Sequence, residues 1–355
     1  MQWKLTDEQE AYQDALAGWL RSVADPAQVR AWLDKGEEEA FAERFVRDGL
    51  AGVGFEEALG GQGGGLVELA LTAEHLGRHS APSASWLATV LAVPALADRP
   101  EIAAAALGGS TVTYAAPADL PPDCGPVLEL DDAGRVSGTV PRVLAGAHAA
   151  HLVVLAQNHD RRELRLIDTT TTGVSVRPCE LLDRSRSVAD IELTNAGSVP
   201  LELDADVVVS EMSARAAVLV AADSLGAAHR MLDLAVEYSL QRKQFGVPIG
   251  SFQAVKHAAA TILVGVEAAR SIVYFAAASV GSRAENHALH AAAAKAQVTE
   301  QGARAADSAL TMHGAIGYTW EHDLHLFYKR AKLDEVLFGS AARWNERIAQ
   351  GLDLG

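Results

Sequence analysis

Residues 1–108 alternate apolar and polar positions with the period of an α-helix. Thr6 and Gln9 have the spacing of a capping box, and Ala11, Tyr12, Ala15, Leu16, Trp19 and Leu20 follow as one apolar stripe. The same period runs from Leu66 to Leu76, and Pro82 with Ser83 opens a further helix. Between them, LGGQGGG (59–65) reads as a flexible connector; a phosphate loop would need a Gly-Lys-Ser/Thr ending, which it lacks. The pattern changes over 109–202. Short runs such as TVTYAA, PVLEL, RVSGTV, HLVVLAQ, ELRLIDT, GVSVRP and DIELT alternate with Pro, Gly, Asp and Asn, which predicts a small antiparallel sheet or barrel. Asp131-Asp132-Ala133-Gly134 has the makings of its hairpin turn. Over 203–355 the helical period returns. Ser210 to Gln241 forms one long helix with Gly226 inside it. Ser251 is placed to cap a second through Phe252, Val255, Ile262 and Val266. An Ala-rich helix near 288–312 and a shorter one from Leu324 to Leu337 follow. Long helices with short connections predict an antiparallel bundle. The whole is a modular α+β chain with segments 1–108, 109–202 and 203–355.

Composition narrows the partners. Of 355 residues, 49% are hydrophobic and 21% charged, enough apolar material for a packed core rather than disorder. The net charge of -16 argues against nucleic acid and against anionic membrane surfaces, so an anionic ligand would need a local basic spot. Cys124 and Cys179 fit no metal spacing; a bridge between them stays open. The polar start MQWKLTDEQEAYQ is no secretory signal. The longest apolar run, Ala84 to Ala97, contains Pro94 and is too short to span a bilayer. These features lead to the expectation of a cytoplasmic protein. His322 and His325 beside Trp320 read as packing, since a metal site needs more ligands. No G-x-S-x-G string or Cys/His pair points to hydrolysis.

Two segments carry more information. SLQRKQFGVPIGSFQAVKH (239–257) and MHGAIGYTWEHDLHLFYKRAK (312–332) resemble the C-terminal domain of the acyl-CoA dehydrogenase family, and GLAGVGFEEALGGQGGGLVELALTAEHLGR (49–78) resembles a run in its first helical domain. The resemblance implies an N-terminal helical domain, a middle β-domain and a C-terminal four-helix bundle. It also implies FAD, an acyl-CoA substrate desaturated beside its thioester, and an electron-transfer flavoprotein as electron acceptor. Arg242 matches the family residue that reaches the FAD pyrophosphate of a neighbouring subunit, a task suited to a guanidinium fork. Phe245 and Gln253 match neighbours of the same cofactor, and Gly246 and Gly250 permit close backbone approach. Without that string, Arg242 and Lys243 would read as a solvated charge pair at a helix end. TMHGAIG (311–317) resembles the glycine-bearing turn that touches the ADP portion; Thr311 stands where Gln is common and Ala315 where Gly is common.

Other family features are missing. The usual base is a Glu before Gly in a YEG-like motif. An ungapped count from GAIGY puts Phe338 there, before Gly339. The alternative base position, on the first bundle helix, falls on Ala216. Neither residue can take a proton. The nearest carboxylates are Glu211, Asp334 and Glu335, and a slip of one or two residues would turn each by roughly 100–200°. The loop that holds the flavin ring, an aromatic followed by T-E-P-x-x-G-S, is replaced by VTYAAPADLPPDCGP (112–126). In RVSGTVPRVLAGAHAAHLVVLAQ (135–157), Pro141 and Arg142 replace the Lys of the family's next conserved passage.

Three expectations follow. The first is a heteromeric dehydrogenase, in which a fuller partner seats the flavin ring and supplies the Glu while this chain contributes Arg242, Phe245, Gln253, Thr311 and Ala315. Family assemblies of this kind resemble enzymes of steroid side-chain CoA thioesters. The second is a self-sufficient homomer whose base is Asp334 or Glu335. The third is a stabilising subunit without flavin contact.

Overall fold

The computed structural model describes residues 4–159 and 161–352; the outermost positions of the first and last segments lie outside these. Helices α1 (Asp7–Val23), α2 (Pro26–Lys35), α3 (Glu39–Arg47), α4 (Leu66–His79), α5 (Ala84–Ala92) and α6 (Pro100–Leu107) come first. The capping box forms as the spacing predicts. The Gln9 amide donates to Thr6 Oγ1 at 3.2 Å and the Thr6 amide to Gln9 Oε1 at 3.1 Å. Trp19, Trp32, Phe41, Phe45 and Trp86 interlock largely edge to face at the centre of this layer.

The glycine-rich stretch corrects the expectation of a loose connector. The Gly54 amide donates to the Gly63 carbonyl at 2.8 Å, and the Gly63 amide to the Phe55 carbonyl at 2.7 Å. The glycines serve close packing: a Cβ on Gly61 would fall 2.1 Å from the Phe55 oxygen.

The sheet contains β1 (Val112–Tyr114), β2 (Leu128–Leu130), β3 (Arg135–Leu144), β4 (His151–Asn158), β5 (Arg161–Asp168), β6 (Val174–Cys179), β7 (Val188–Gly197) and β8 (Val199–Leu201). The order is β6-β7-β3-β2-β4-β5-β8, with β1 also on β4. It is mixed rather than purely antiparallel. β1 and β2 both run parallel to β4, end to end along one of its edges, and β2 also pairs antiparallel with β3. The β2–β3 turn is at 131–134 as expected, where Asp131 Oδ1 accepts the Ala133 and Arg135 amides. Successive β4 residues face opposite ways. Leu152 and Val154 join a core internal to the sheet, and Val153 and Leu155 pack on the helices. Cys124 and Cys179 are free thiols.

The second helical layer comprises α7 (Ala205–Gln241), a hairpin of β9 (Lys243–Gln244) and β10 (Val247–Pro248), α8 (Gln253–Gly281), α9 (His287–His313), α10 (Leu324–Val336) and α11 (Ala341–Gly351). α7 starts earlier than Ser210 because Asp204 caps it, accepting the Val207 amide at 3.1 Å. Ser251 is not the cap of α8. Its hydroxyl donates to the Pro248 carbonyl at 2.7 Å within a 3-10 turn, and Phe252 occupies the cap position without a side-chain bond. Gly226 marks the crossing of α7 with α4, where a Cβ would lie 1.8 Å from the Glu74 carbonyl oxygen. Glu74 in turn receives Arg270 of α8 at 2.6 Å, and the Tyr274 hydroxyl donates to it.

Candidate functional site

The two segments singled out in the sequence meet at one end of the second helical layer. Near the end of α7, the Tyr238 ring stacks on His313, the last residue of α9, with centroids 4.9 Å apart. His313 meets His322 at 4.5 Å, which draws in the loop before α10. One turn beyond Tyr238, the Arg242 amide donates to the Tyr238 carbonyl at 2.8 Å and ends the helix. Gln244 pairs with Val247, leaving Phe245 and Gly246 as a two-residue turn with φ of 53° and 83°. Both positive values suit a primed hairpin turn, which favours glycine at the second position; Phe at the first stores about 1–3 kcal/mol of strain. That Phe is 92% exposed and meets Phe252 edge-on at 6.2 Å.

Among the described residues, the side chains of Arg242, Lys243 and Gln253 have no hydrogen-bonded or ionic partner within the chain. Thr311 is exposed and spends its hydroxyl on the Asp307 carbonyl at 2.8 Å. Ala315 is exposed in the 3-10 turn Gly314–Tyr318, and Gly314 has a φ of 64°. Stacking of Tyr238 on His313 brings the two backbones together, but no bond joins Thr311 or Ala315 to Arg242, Phe245 or Gln253 among the described residues. A free guanidinium next to an unsupported aromatic ring has the donor set that a nucleotide pyrophosphate and base require.

The opposite end is filled with protein. Phe338 is only 5% exposed and has a φ of 56°. Its amide donates to the Ala118 carbonyl at 2.6 Å, and its carbonyl accepts Trp344 Nε1 at 2.9 Å. Segment 112–126 therefore lies against Phe338. The Asp123 amide donates to Ser213 Oγ on α7 at 2.9 Å, and Arg347 on α11 reaches Asp123 at 2.5 Å. Ala216 is wholly buried among apolar neighbours on α7.

The nearby carboxylates are not all paired. Glu211 pairs with Arg283 at 2.7 Å. Asp334 is fully buried in a polar knot where Arg330 donates to Asp223 at 3.0 Å, to Asp183 at 3.0 Å and to the Ala81 carbonyl at 2.7 Å. Burial and then the adjacent Asp223 push the Asp334 carboxyl well above the usual range, and both its oxygens are buried without a hydrogen-bond partner among the described residues. Glu335 is half-buried beside Lys295, whose ammonium donates to the carbonyls of Asp334 and Gly339, each at 2.9 Å. Sequence reasoning missed Lys295 and Arg330; a lone Lys in an Ala-rich helical stripe was the available signal. The Trp320 group is packing as expected: Trp320 lies edge-on to His325 at 4.9 Å, with Lys329 Nζ 3.8 Å above its ring.

The family model described as acyl-CoA dehydrogenase, N-terminal domain, matches residues 6–99, and that of the C-terminal domain matches 207–352. Acyl-CoA dehydrogenase IpdE2 of Mycobacterium tuberculosis is 33% identical, over 92% of this chain and 91% of its own. Acyl-CoA dehydrogenase FadE34 of the same organism is also 33% identical, over 97% of this chain. The chain spans only 48% of that protein's length. A crystal structure of the ChsE4-ChsE5 complex from Mycobacterium tuberculosis superposes over 100% of both chains, with a TM-score of 0.88 and 27% identity.

Proposed function

The chain belongs to the acyl-CoA dehydrogenase family, and from that premise we propose that it is the non-basic subunit of a heteromeric, FAD-dependent acyl-CoA dehydrogenase. The carrying observation is a division between the two ends of the second helical layer. Arg242 and Phe245 stand free at one, while at the other the base position is Phe338, closed under Ala118. FAD, when bound, supplies the hydride acceptor. This chain's own residues bind and orient. Arg242 forks onto the pyrophosphate, Phe245 offers a ring face near the adenine half, and Gln253, Thr311 and Ala315 line the approach. Phe338 cannot remove a proton, so the partner contributes the Glu and the seat of the flavin ring. The similarity to a solved two-name complex supports this reading.

α8 supports it as well. Leu263, Val264 and Phe275 are exposed, and only 28% of the helix's most apolar stretch is buried within the chain. That helix is long and apolar enough to cross a membrane by length and composition, but its place inside a bundle suits a protein partner. The substrate class is the CoA thioester of a steroid side chain, as the resemblance implies, and an electron-transfer flavoprotein takes the electrons.

The test is to produce the chain alone and together with a fuller family member encoded beside it, then to measure bound FAD and desaturation of acyl-CoA thioesters. FAD and activity should belong to the pair, and Arg242→Ala should strip FAD from it. Stoichiometric FAD with turnover in the lone chain would overturn the reading; unchanged FAD in the Arg242→Ala pair would leave a purely stabilising subunit.

A further inference from the structure

A second basic spot lies away from the hairpin. The end of α1, the start of α2, the end of α4 and the middle of α7 enclose a cleft of about 380 Å³, within the range of about 300–1,000 Å³ usual for small-molecule sites. Arg21, Arg78, Arg230, His75 and His79 line it, with Phe327 as an apolar wall. Its one acidic lining residue, Asp25, is committed to capping α2, accepting the amides of Ala27 at 2.9 Å and Gln28 at 3.0 Å. Three guanidiniums converge here in a chain of net charge -16.

Their hydrogen bonding is incomplete. Arg78 Nη2 is held by Asp233 at 2.7 Å, while its Nη1 is buried without a partner. Arg230 has only a loose pair with Glu237 at 3.6 Å, and Arg21 has no ion pair among the described residues. His75 is 8% exposed, and both its ring nitrogens are buried and unpartnered. Each buried donor left unpaired costs about 1–3 kcal/mol.

We propose that this cleft binds the phosphate group of a small phosphorylated molecule. Arg21 and Arg230, whose guanidiniums are least engaged within the chain, grip it, and Arg78 and His75 line the cleft beside them. Fork-shaped donors at several angles match a phosphate's spread of oxygens. The site is separate from the flavin hairpin, since Arg230 precedes Arg242 by about 18 Å of helix.

The experiment titrates the full-length chain, with its partner where the two co-purify, against inorganic pyrophosphate and inorganic phosphate by calorimetry. Sodium chloride holds ionic strength constant. Saturable binding is expected, weakened about tenfold or more by Arg21→Gln or Arg230→Gln, as loss of one charged hydrogen bond implies. The exposed Arg135→Gln serves as the charge-matched control and should bind like the parent. Arg21 is exposed on α1, so its variant stays folded even if that at Arg230 does not. Absence of saturable heat overturns the proposal. So does heat that survives in the Arg21 and Arg230 variants, or that vanishes only in Arg242→Gln.

Discussion

The backbone amide of Phe338 donates to the carbonyl of Ala118 at 2.6 Å, fastening the turn after α10 to the segment before β2. Gly339, next along, has a φ of 103°, and a Cβ there would come within 3.0 Å of Pro121 and 3.1 Å of Trp344 Nε1. Gly339→Ala should therefore combine backbone strain with overpacking and lose about 2–4 kcal/mol of stability. The urea midpoint of the purified chain measures it; an unchanged midpoint would mean that the turn is free to move and the plug is not fixed.

Lys295 holds the same turn from beneath. Its ammonium donates to the carbonyls of Asp334 and Gly339, and burial pushes it down to about 7 despite Asp334 and Glu335 nearby. Lys295→Ala leaves those carbonyls buried and unpaired beside a cavity, a loss of about 3–5 kcal/mol. Lys295→Met fills the space and should recover part of it. Denaturant titration of both variants checks the order, and equal losses would show that volume plays no part.

Helix and strand identity was legible because burial imposes its period on the sequence: the capping box at Thr6 and the hairpin at Asp131 stand where they were read. Contacts between elements were not. Gly226 gave no hint of α4, because its partner Glu74 is remote in sequence. The hydroxyl of Ser251 could cap the helix by accepting an amide hydrogen, but it donates instead to the Pro248 carbonyl in the preceding turn. The hairpin residues Arg242 and Phe245 were readable as a string. The seal on Phe338 was not, since Ala118 and Trp344 join it only in three dimensions.

The imidazole of His79 should make the fold acid-sensitive. Burial pushes it down to about 4, against an ordinary value of 6.5, while its Nδ1 donates to the His75 carbonyl at 2.9 Å. Between those values the unfolded chain holds a proton that the folded chain refuses, so stability falls as pH falls from 6.5 towards 4. From pH 7 to 5 the loss is about 2 kcal/mol for this group. His79→Gln cannot titrate, so the stability difference between parent and variant, followed by urea unfolding across this range, should tilt by that amount. A constant difference would place His79 in contact with solvent.

Val264, 70% exposed on α8, separates folding from assembly. A charge there meets water in the isolated chain, so Val264→Asp should change stability by less than about 0.5 kcal/mol. In an assembled interface the same carboxylate would be buried without a partner, at a cost of several kcal/mol. Co-purification with the fuller subunit should then fail, and the flavin absorbance of the pair should fall with it, although the chain alone unfolds as before. Retained assembly would show that α8 faces solvent in the complex, and that the Arg242 hairpin reaches its cofactor from another side.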